Sequence, residues 1–196
     1  MKSNDPRIES ILFSEEKIHR RVHELASDIC QDYSDAGVVH MVAILKGAFV
    51  FAADLGREIC RQGGPELHFE FVRARAYGNA IGKRGQIPAV EIDGIPEDLS
   101  GRDILLVEDI LDQGATLAGV HRRLLDTHAR SVRVCVLLEK ELQQPSSETA
   151  MLRNHICPEY VGFQVPDRWV GGYGLDACED LRELPYIAVI REEYYT

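Results

Sequence analysis

The chain has 196 residues, of which 45% are hydrophobic and 28% are charged, and its formal net charge is −10 at pH 7. These proportions are those of globular proteins and exclude disordered or fibrous chains, and the length suits one domain with one sizeable core. The negative charge argues against a protein that grips nucleic acid, because phosphate binding relies on lysine and arginine.

The first half of the chain alternates between helical and strand-like patterns. Apolar residues at helical spacing over residues 18–29 predict an amphipathic helix. The apolar run Val38–Leu45 predicts a strand, and Phe49–Arg61 has the pattern of a helix. Residues 67–75 alternate like a second strand, and the glycine-rich segment at about residues 76–90 then predicts a flexible loop.

The second half repeats the order of strand, loop and helix. Residues 104–107 form a short apolar run that predicts a strand, residues 108–115 are predicted to form a loop, and residues 116–126 a helix. The stretch 141–155 is polar and contains turn residues. Further strands are predicted at residues 132–138, 160–165 and 186–190.

This alternation of strands and helices predicts an α/β fold. We expect a single domain over residues 1–196, with a mainly parallel central sheet flanked by helices. In such sheets, ligands gather at the carboxyl ends of the strands. The loops that follow Leu45, Val107 and Leu138 are therefore the first candidates for a site.

Cysteine spacing and hydropathy bear on the compartment. The five cysteines are widely spaced without a C-x-x-C pair, and an odd number fits no complete disulfide framework. No segment approaches the roughly 20 apolar residues that span a bilayer, and the first residues carry no signal-peptide core. We therefore expect a cytoplasmic protein that is not inserted in a membrane.

The most informative segment follows residues 104–107, where Glu108, Asp109 and Asp112 place three carboxylates within five residues. Their repulsion needs an offsetting cation or hydroxyl donors, and the vicinal hydroxyls of a ribose together with Mg²⁺ would supply both. The residues up to Thr116 add a glycine, a hydroxyl group and amides at a helix start, which are the features of a phosphate cradle. The alternative is an acid-rich helix N-terminus that only complements the helix dipole.

Val107 to Leu117 resembles the phosphoribosyl diphosphate signature of type I phosphoribosyltransferases, and most closely that of the hypoxanthine-guanine phosphoribosyltransferases. Leu45 to Phe49 is similar to the pyrophosphate loop of that family, and Lys140 stands where its purine-contacting lysine follows a strand. Further matches follow in order at residues 165–170, 172–176 and 182–186, so the resemblance covers most of the chain. It implies the type I phosphoribosyltransferase fold, with a small hood formed by about residues 160–185 and the N-terminal segment.

The resemblance also implies roles for the acidic residues Glu108, Asp109 and Asp112 and for the residues that follow them to Thr116. Glu108 and Asp109 would contact the ribose hydroxyls and the metal they bind, which is Mg²⁺. Asp112 would face N7 of the purine and act as the proton acceptor when N9 is glycosylated. The 5-phosphate would be bound by backbone amides and the Thr116 hydroxyl, from the residues Asp112, Gln113, Gly114, Ala115 and Thr116.

For the leaving group, the resemblance implies two further contacts. Lys46 and Gly47 would present amides to the pyrophosphate, and the peptide between Leu45 and Lys46 would be cis. Arg182 would pair with the pyrophosphate. Asp176 would hold a magnesium from the side of the hood.

For the purine, the resemblance points to three residues. Lys140 would donate to O6 of a 6-oxopurine, Trp169 would stack on the base, and Val170 would offer backbone groups to its Watson-Crick edge. Seen alone, Lys140 could be a solvated strand end, Trp169 a plug at the edge of the core, and Arg182 an ordinary helix charge, but the joint order of the motifs favours the site. Trp169 is larger than the usual aromatic of the hood and Gly171 replaces a branched residue, so the preference among hypoxanthine, guanine and xanthine stays open.

Tyr77 and Gly78 begin a segment that resembles the flexible loop of the family, which closes over the reactants and excludes water. Lys83 and Arg84 lie in the same segment. We interpret these two as solvated charges, with assistance to the phosphates as the alternative.

The leading hypothesis is a magnesium-dependent transfer of phosphoribosyl to a 6-oxopurine by an enzyme that, like its relatives, forms homodimers or homotetramers. The alternative is a regulator of the same fold that senses nucleotides without catalysis. The net acidity and the presence of Asp112, Lys140 and Arg182 favour the enzyme. A Rossmann dinucleotide enzyme is excluded, because no G-x-G-x-x-G follows the first predicted strand.

Overall fold

Two sheets organise the protein. The computed structural model describes residues 5–76 and 90–194. Nine strands of these residues are β1 (Ile8–Phe13), β2 (Val38–Leu45), β3 (Glu66–Ala76), β4 (Val90–Asp93), β5 (Asp103–Leu111), β6 (Ser131–Glu141), β7 (Tyr160–Pro166), β8 (Val170–Gly171) and β9 (Ile187–Ile190). The larger sheet has the order β4-β3-β2-β5-β6-β7, and the smaller has the order β1-β9-β8. Within the larger sheet only β4 runs antiparallel to its neighbour, which confirms the predicted mainly parallel α/β fold.

Helices cover both faces of the larger sheet. In the described parts of the chain they are α1 (Glu15–Asp32), α2 (Phe49–Arg61), α3 (Ala115–Leu125) and α4 (Ser147–Ile156). Alternate residues of β5 enter different cores, because successive side chains of a strand point to opposite faces. Leu105 and Val107 pack in the core that contains α1 and α2, whereas Ile104 and Leu106 pack in the core that contains α3 and α4. Burial on both faces explains why residues 104–107 of this strand are all apolar.

The first two helices form as the sequence predicts. Ser14 caps α1, since its hydroxyl accepts from the amide of Lys17 at 3.4 Å, and two glutamates occupy the first turn. The apolar residues of α1 that recur at helical spacing are buried, and the bounds of α2 are those predicted. In both helices one apolar stripe faces the sheet, which is why the periodicity located them.

Two predicted segments differ in the structure, and a third cannot be compared with it. The loop predicted at residues 108–115 is wrong in its first part, because β5 continues to Leu111, with Glu108 opposite Val136 and Ile110 opposite Leu138 of β6. Backbone pairing with β6 therefore extends the strand through charged residues. The polar stretch 141–155 contains α4, whose N-cap Ser146 accepts from the amide of Thr149 at 3.1 Å. Residues 77–89 of the predicted flexible loop lie outside the described residues.

The smaller sheet joins distant parts of the chain. The predicted hood starts at about residue 160, whereas Tyr160–Pro166 pairs with β6 as the edge strand of the larger sheet. The smaller sheet takes β1 from the N-terminal segment and places β9 between β1 and β8. Neither β1 nor the two-residue β8 was apparent from the pattern, because their partners lie far away along the chain.

Two observations concern the cysteines and the helices. All five cysteines are free thiols. Of the helices that the structure describes, none is both long and apolar enough to cross a bilayer.

Candidate active site

The predicted site residues meet at one edge of the larger sheet. The carboxyl ends of β2, β5, β6 and β7 lie at this edge, because these neighbouring strands are parallel. Two adjoining cavities open there, and Asp109, Ile110 and Asp112 line both of them. The larger cavity, of about 390 Å³, extends along the chain from Glu108 to Thr116 and also reaches Gly47. The smaller, of about 190 Å³, is also lined by Lys140, Trp169, Val170, Leu175 and Asp176.

The segment after β5 forms a turn that leads into α3, and we call residues 112–116 the phosphate turn. Gly114 is its pivot, with φ of +86° immediately before the helix begins at Ala115. The free amides at the start of a helix point outward and favour an anion. Gln113, Ala115 and Thr116 line the larger cavity together with Gly114. The turn therefore presents amides and a hydroxyl group to one cavity, as a phosphate requires.

Glu108 and Asp109 are packed together beneath the larger cavity. Glu108 is only 6% exposed, and its carboxylate accepts from the amide of Asp109 at 3.1 Å. Burial raises the pKa of Glu108 well above its usual range, and the adjacent Asp109 carboxylate raises it further. Burial also raises the pKa of Asp109. A cation at this place would relieve both effects, because it favours the charged forms.

The carboxylates of the site suit a Mg²⁺ ion that is held partly by the protein and partly by its substrate. Among the residues that the structure describes, no three or more His, Cys, Asp or Glu side chains are grouped so that they could hold a metal. Mg²⁺ is commonly held by one or two carboxylates, with substrate phosphates and waters completing the shell. Glu108 and Asp109 would supply two such carboxylates, whereas the Asp176 carboxylate is paired with Arg182 at 2.7 Å. A bound Mg²⁺ would thus depend on the substrate for part of its coordination.

The loop after β2 approaches the acidic pair closely. The peptide between Leu45 and Lys46 is cis, as the resemblance implied. A Cβ on Gly47 would overlap the Asp109 carboxylate, and a Cβ on Gly174, whose φ is +100°, would overlap the Gly47 carbonyl. Glycine at position 47 therefore allows the loop to lie between Asp109 and the hood.

One cation of this loop and one from the C-terminal part of the chain contact the same carboxylate. Lys46 Nζ lies 2.7 Å from Glu179 Oε2, and an Arg182 guanidinium nitrogen lies 3.4 Å from the same oxygen. Hydrogen bonds from Lys46 and then from Arg182 lower the pKa of Glu179. Glu179 is not among the predicted site residues, and its only sign in the sequence is its position three residues before Arg182. An anion that binds Lys46 and Arg182 would have to compete with this carboxylate.

The smaller cavity brings the purine candidates together. Lys140 is only 11% exposed in its side chain, and its ammonium group lies 2.7 Å from Oδ2 of Asp112, which is 40% exposed. Val170 is buried and pairs with Val189, whereas Trp169 is 43% exposed and its indole N–H points to the carbonyl of Asp176 at 3.4 Å. The cavity thus offers a cation, a carboxylate and an aromatic face to one ligand.

Tyr77 and Gly78, together with Lys83 and Arg84, lie outside the described residues.

Comparisons with known proteins all find phosphoribosyltransferases. A family model described as the phosphoribosyl transferase domain matches residues 10–176. The chain is 36% identical over 188 residues to the hypoxanthine-guanine phosphoribosyltransferase of Bacillus subtilis, covering 96% of each protein. It is 34% identical over 181 residues to the hypoxanthine phosphoribosyltransferase of Escherichia coli, covering 92% of this chain and 94% of the relative. The structure of Trypanosoma cruzi hypoxanthine phosphoribosyltransferase with the product IMP is similar with a TM-score of 0.81 at 32% identity, covering 99% of this chain and 100% of that chain.

Proposed function

The chain belongs to the phosphoribosyltransferase family, and we propose that it salvages purines by transferring 5-phosphoribosyl from phosphoribosyl diphosphate to N9 of a 6-oxopurine. The products are IMP or GMP and pyrophosphate. One observation carries the proposal: Asp112 lines both adjoining cavities and pairs with Lys140 at 2.7 Å. A group in this position can contact a base in one cavity while its backbone holds a phosphate in the other.

The chemistry of the base depends on Asp112 and Lys140. The Lys140 ammonium donates to O6 of the purine, which leaves the Asp112 carboxylate free to accept or stabilise the proton of the ring. Trp169 covers one face of the base, and the backbone of Val170 faces its Watson-Crick edge. Because an adenine carries a donor where a 6-oxopurine carries an acceptor, Lys140 favours the oxopurine.

The transferred group is held by positioning and charge. The phosphate turn binds the 5-phosphate, and Glu108 and Asp109 hold the ribose hydroxyls, so that C1 of the ribose lies between the base and the leaving group. Glu108 and Asp109 would also hold Mg²⁺, which when bound neutralises charge on the pyrophosphate. Lys46 and Arg182 leave Glu179 and bind the pyrophosphate as it departs.

The proposal also covers the compartment, the partners and the oligomeric state. We place the enzyme in the cytoplasm, with small-molecule substrates and without nucleic acid, in keeping with the net charge of −10. We also propose a homodimer or homotetramer. In support, Phe49, Phe69 and Phe71 are each more than two-fifths exposed, and the last two rings stack 6.5 Å apart on β3.

The proposal is tested by a spectrophotometric assay of hypoxanthine, guanine, xanthine and adenine. Each base is combined with phosphoribosyl diphosphate, once with Mg²⁺ and once with a chelator. We expect metal-dependent turnover of hypoxanthine or guanine. If no base is turned over, the nucleotide-sensing regulator becomes the better hypothesis.

Replacing Lys140 with alanine is expected to lower kcat/KM for the preferred 6-oxopurine by about 10- to 100-fold, the value of a lost hydrogen bond to a charged group. The ratio between kcat/KM for the 6-oxopurine and kcat/KM for adenine should fall, because the change lowers kcat/KM for adenine only slightly. The ratio of kcat/KM for the two bases measures this. Lys17→Ala is the control, since the Lys17 ammonium lies over the Phe13 ring at 4.8 Å. An unchanged ratio would remove Lys140 from purine selection.

A further inference from the structure

Arg153 connects α4 to the active site, although neither the resemblance nor the proposed mechanism gives it a role. Its side chain is only 17% exposed. One guanidinium nitrogen donates to the carbonyls of Leu111 at 3.2 Å and Asp112 at 2.8 Å, and another donates to Glu139 Oε1 at 2.9 Å. One side chain thus binds three acceptors at the edge of the sheet where the site lies.

Those acceptors lie where β5 meets the phosphate turn and next to Lys140 in β6. Leu111 is the last residue of β5, and Asp112 is the first residue of the phosphate turn. Glu139 precedes Lys140 in β6 and also accepts from Gln164 of β7 at 2.8 Å. Arg153 therefore ties the start of the phosphate turn to the strand that carries Lys140.

The same helix contacts the turn at two further points. Thr149 donates its hydroxyl to the side-chain carbonyl of Gln113 at 2.8 Å. Beside Gly114, a Cβ would meet Ile156 at 3.3 Å and the aliphatic part of Arg153 at 3.4 Å. The back of the phosphate turn is consequently packed against α4, while its front lines the larger cavity.

The chemistry of these contacts indicates a geometric role. Because Glu139 pairs with the guanidinium, the cation is largely neutralised before any phosphate arrives. Its two bonds to carbonyls fix the orientation of the peptide planes at Leu111 and Asp112 from behind. With those carbonyls held against α4, the following amides are set towards the cavity before substrate binds.

We propose that Arg153 is a positioning residue that preorganises the phosphate turn for the 5-phosphate. The inference rests on the proposed function, because it assigns that phosphate to the turn. It differs from a purely structural role in its expected selectivity. Ligands that carry a 5-phosphate should lose affinity when Arg153 is removed, whereas pyrophosphate, which binds at Lys46 and Arg182, should not.

The chain offers a matched control in Arg21. This arginine of α1 also donates to two backbone carbonyls, those of Val161 and Gly162, each at 2.9 Å, and pairs with Glu24 at 2.7 Å. Val161 and Gly162 lie at the beginning of β7, away from the carboxyl edge of the sheet where the site lies. Arg21→Ala therefore removes a comparable set of bonds without touching the phosphate turn.

The experiment compares Arg153→Ala, Arg153→Lys and Arg21→Ala with the unaltered protein. For Arg153→Ala we expect KM for phosphoribosyl diphosphate and Kd for IMP to rise about tenfold or more, while Kd for pyrophosphate stays within about twofold. Arg153→Lys retains one donor and should recover part of the loss. Arg21→Ala should lower Tm by a similar amount and leave all three constants within about twofold.

The outcomes separate this inference from the proposed function. If the unaltered protein turns over no purine and does not bind IMP, the proposed function fails, and the inference falls with it. If the unaltered protein is active but Arg153→Ala behaves like Arg21→Ala, or weakens pyrophosphate as much as IMP, only the positioning role is overturned. Should Arg153→Ala not fold, Arg153→Lys decides the question by the same ratio of IMP to pyrophosphate affinity.

Discussion

Replacing Asp112 with asparagine is expected to lower kcat by about 10²- to 10³-fold while leaving the affinity for phosphoribosyl diphosphate within about threefold. Asparagine keeps the size of the side chain but cannot accept a proton or carry the charge that faces Lys140 across 2.7 Å. The backbone of the phosphate turn is unaltered by the change. The loss should therefore fall on the chemical step.

Single-turnover kinetics and equilibrium binding of phosphoribosyl diphosphate would separate the two effects. Asp126→Asn, at the exposed C-terminal end of α3, is the control for loss of a negative charge. If Asp112→Asn turned over at the normal rate, Asp112 would have no part in proton transfer. If it lost binding and turnover together, its carboxylate would serve mainly to hold substrate.

Gly47→Ala is expected to reduce kcat/KM for phosphoribosyl diphosphate by about 10²-fold, because misplacement of a site by about 1 Å can cost that much. The new Cβ would overlap the Asp109 carboxylate, and the loop cannot easily retreat, because Gly174 already packs against the Gly47 carbonyl. Either Asp109 or the loop after β2 must move. Binding of IMP should weaken less, because IMP carries no pyrophosphate and depends on this region only through the contact of Asp109 with its ribose.

Gly37→Ala provides the matched control for this substitution. It lies immediately before β2, and a Cβ there would meet no atom of the described residues within 4 Å. Titration calorimetry with phosphoribosyl diphosphate and with IMP, in the presence of Mg²⁺, would compare the two variants. Equal affinities for Gly47→Ala and the unaltered protein would show that Gly47 is not needed to bring the loop against Asp109.

Much of the fold could be predicted because local patterns reflect burial. The bounds of α2 followed from its apolar periodicity, since one stripe of the helix is buried against the sheet. Those of β2 followed from its apolar run, since its alternate side chains are buried in the cores on both faces of the sheet. By contrast, α4 has a weak apolar stripe with only Leu152 and Ile156 as buried aliphatic side chains, so its polar sequence resembled a connection. The end of β5 depends on pairing with β6, which no window of the sequence contains.

The site divides in the same way. Residues that lie in one continuous segment, such as those of the phosphate turn, can be recognised from the composition of that segment. The structure places them around one cavity. Their individual roles remain predictions. Arg153 and Glu179 escaped notice because each acts on a partner more than 40 positions away, at Leu111 and Lys46 respectively. Contacts of this kind arise from the fold and leave no local pattern.

The arrangement of the smaller sheet sets an order in which the protein can be assembled during synthesis. The larger sheet has all its strands once Pro166 has emerged, and with them both the acidic pair and Lys140. In the described chain β1 and β8 pair with β9 alone, so β1 must wait for residues 187–190. Because chains fold from the N-terminal side as they are made, the phosphate half of the site can form before the cover of the base. The acidic pair and the phosphate turn are thus complete in the chain before the smaller sheet, which carries Val170, can form.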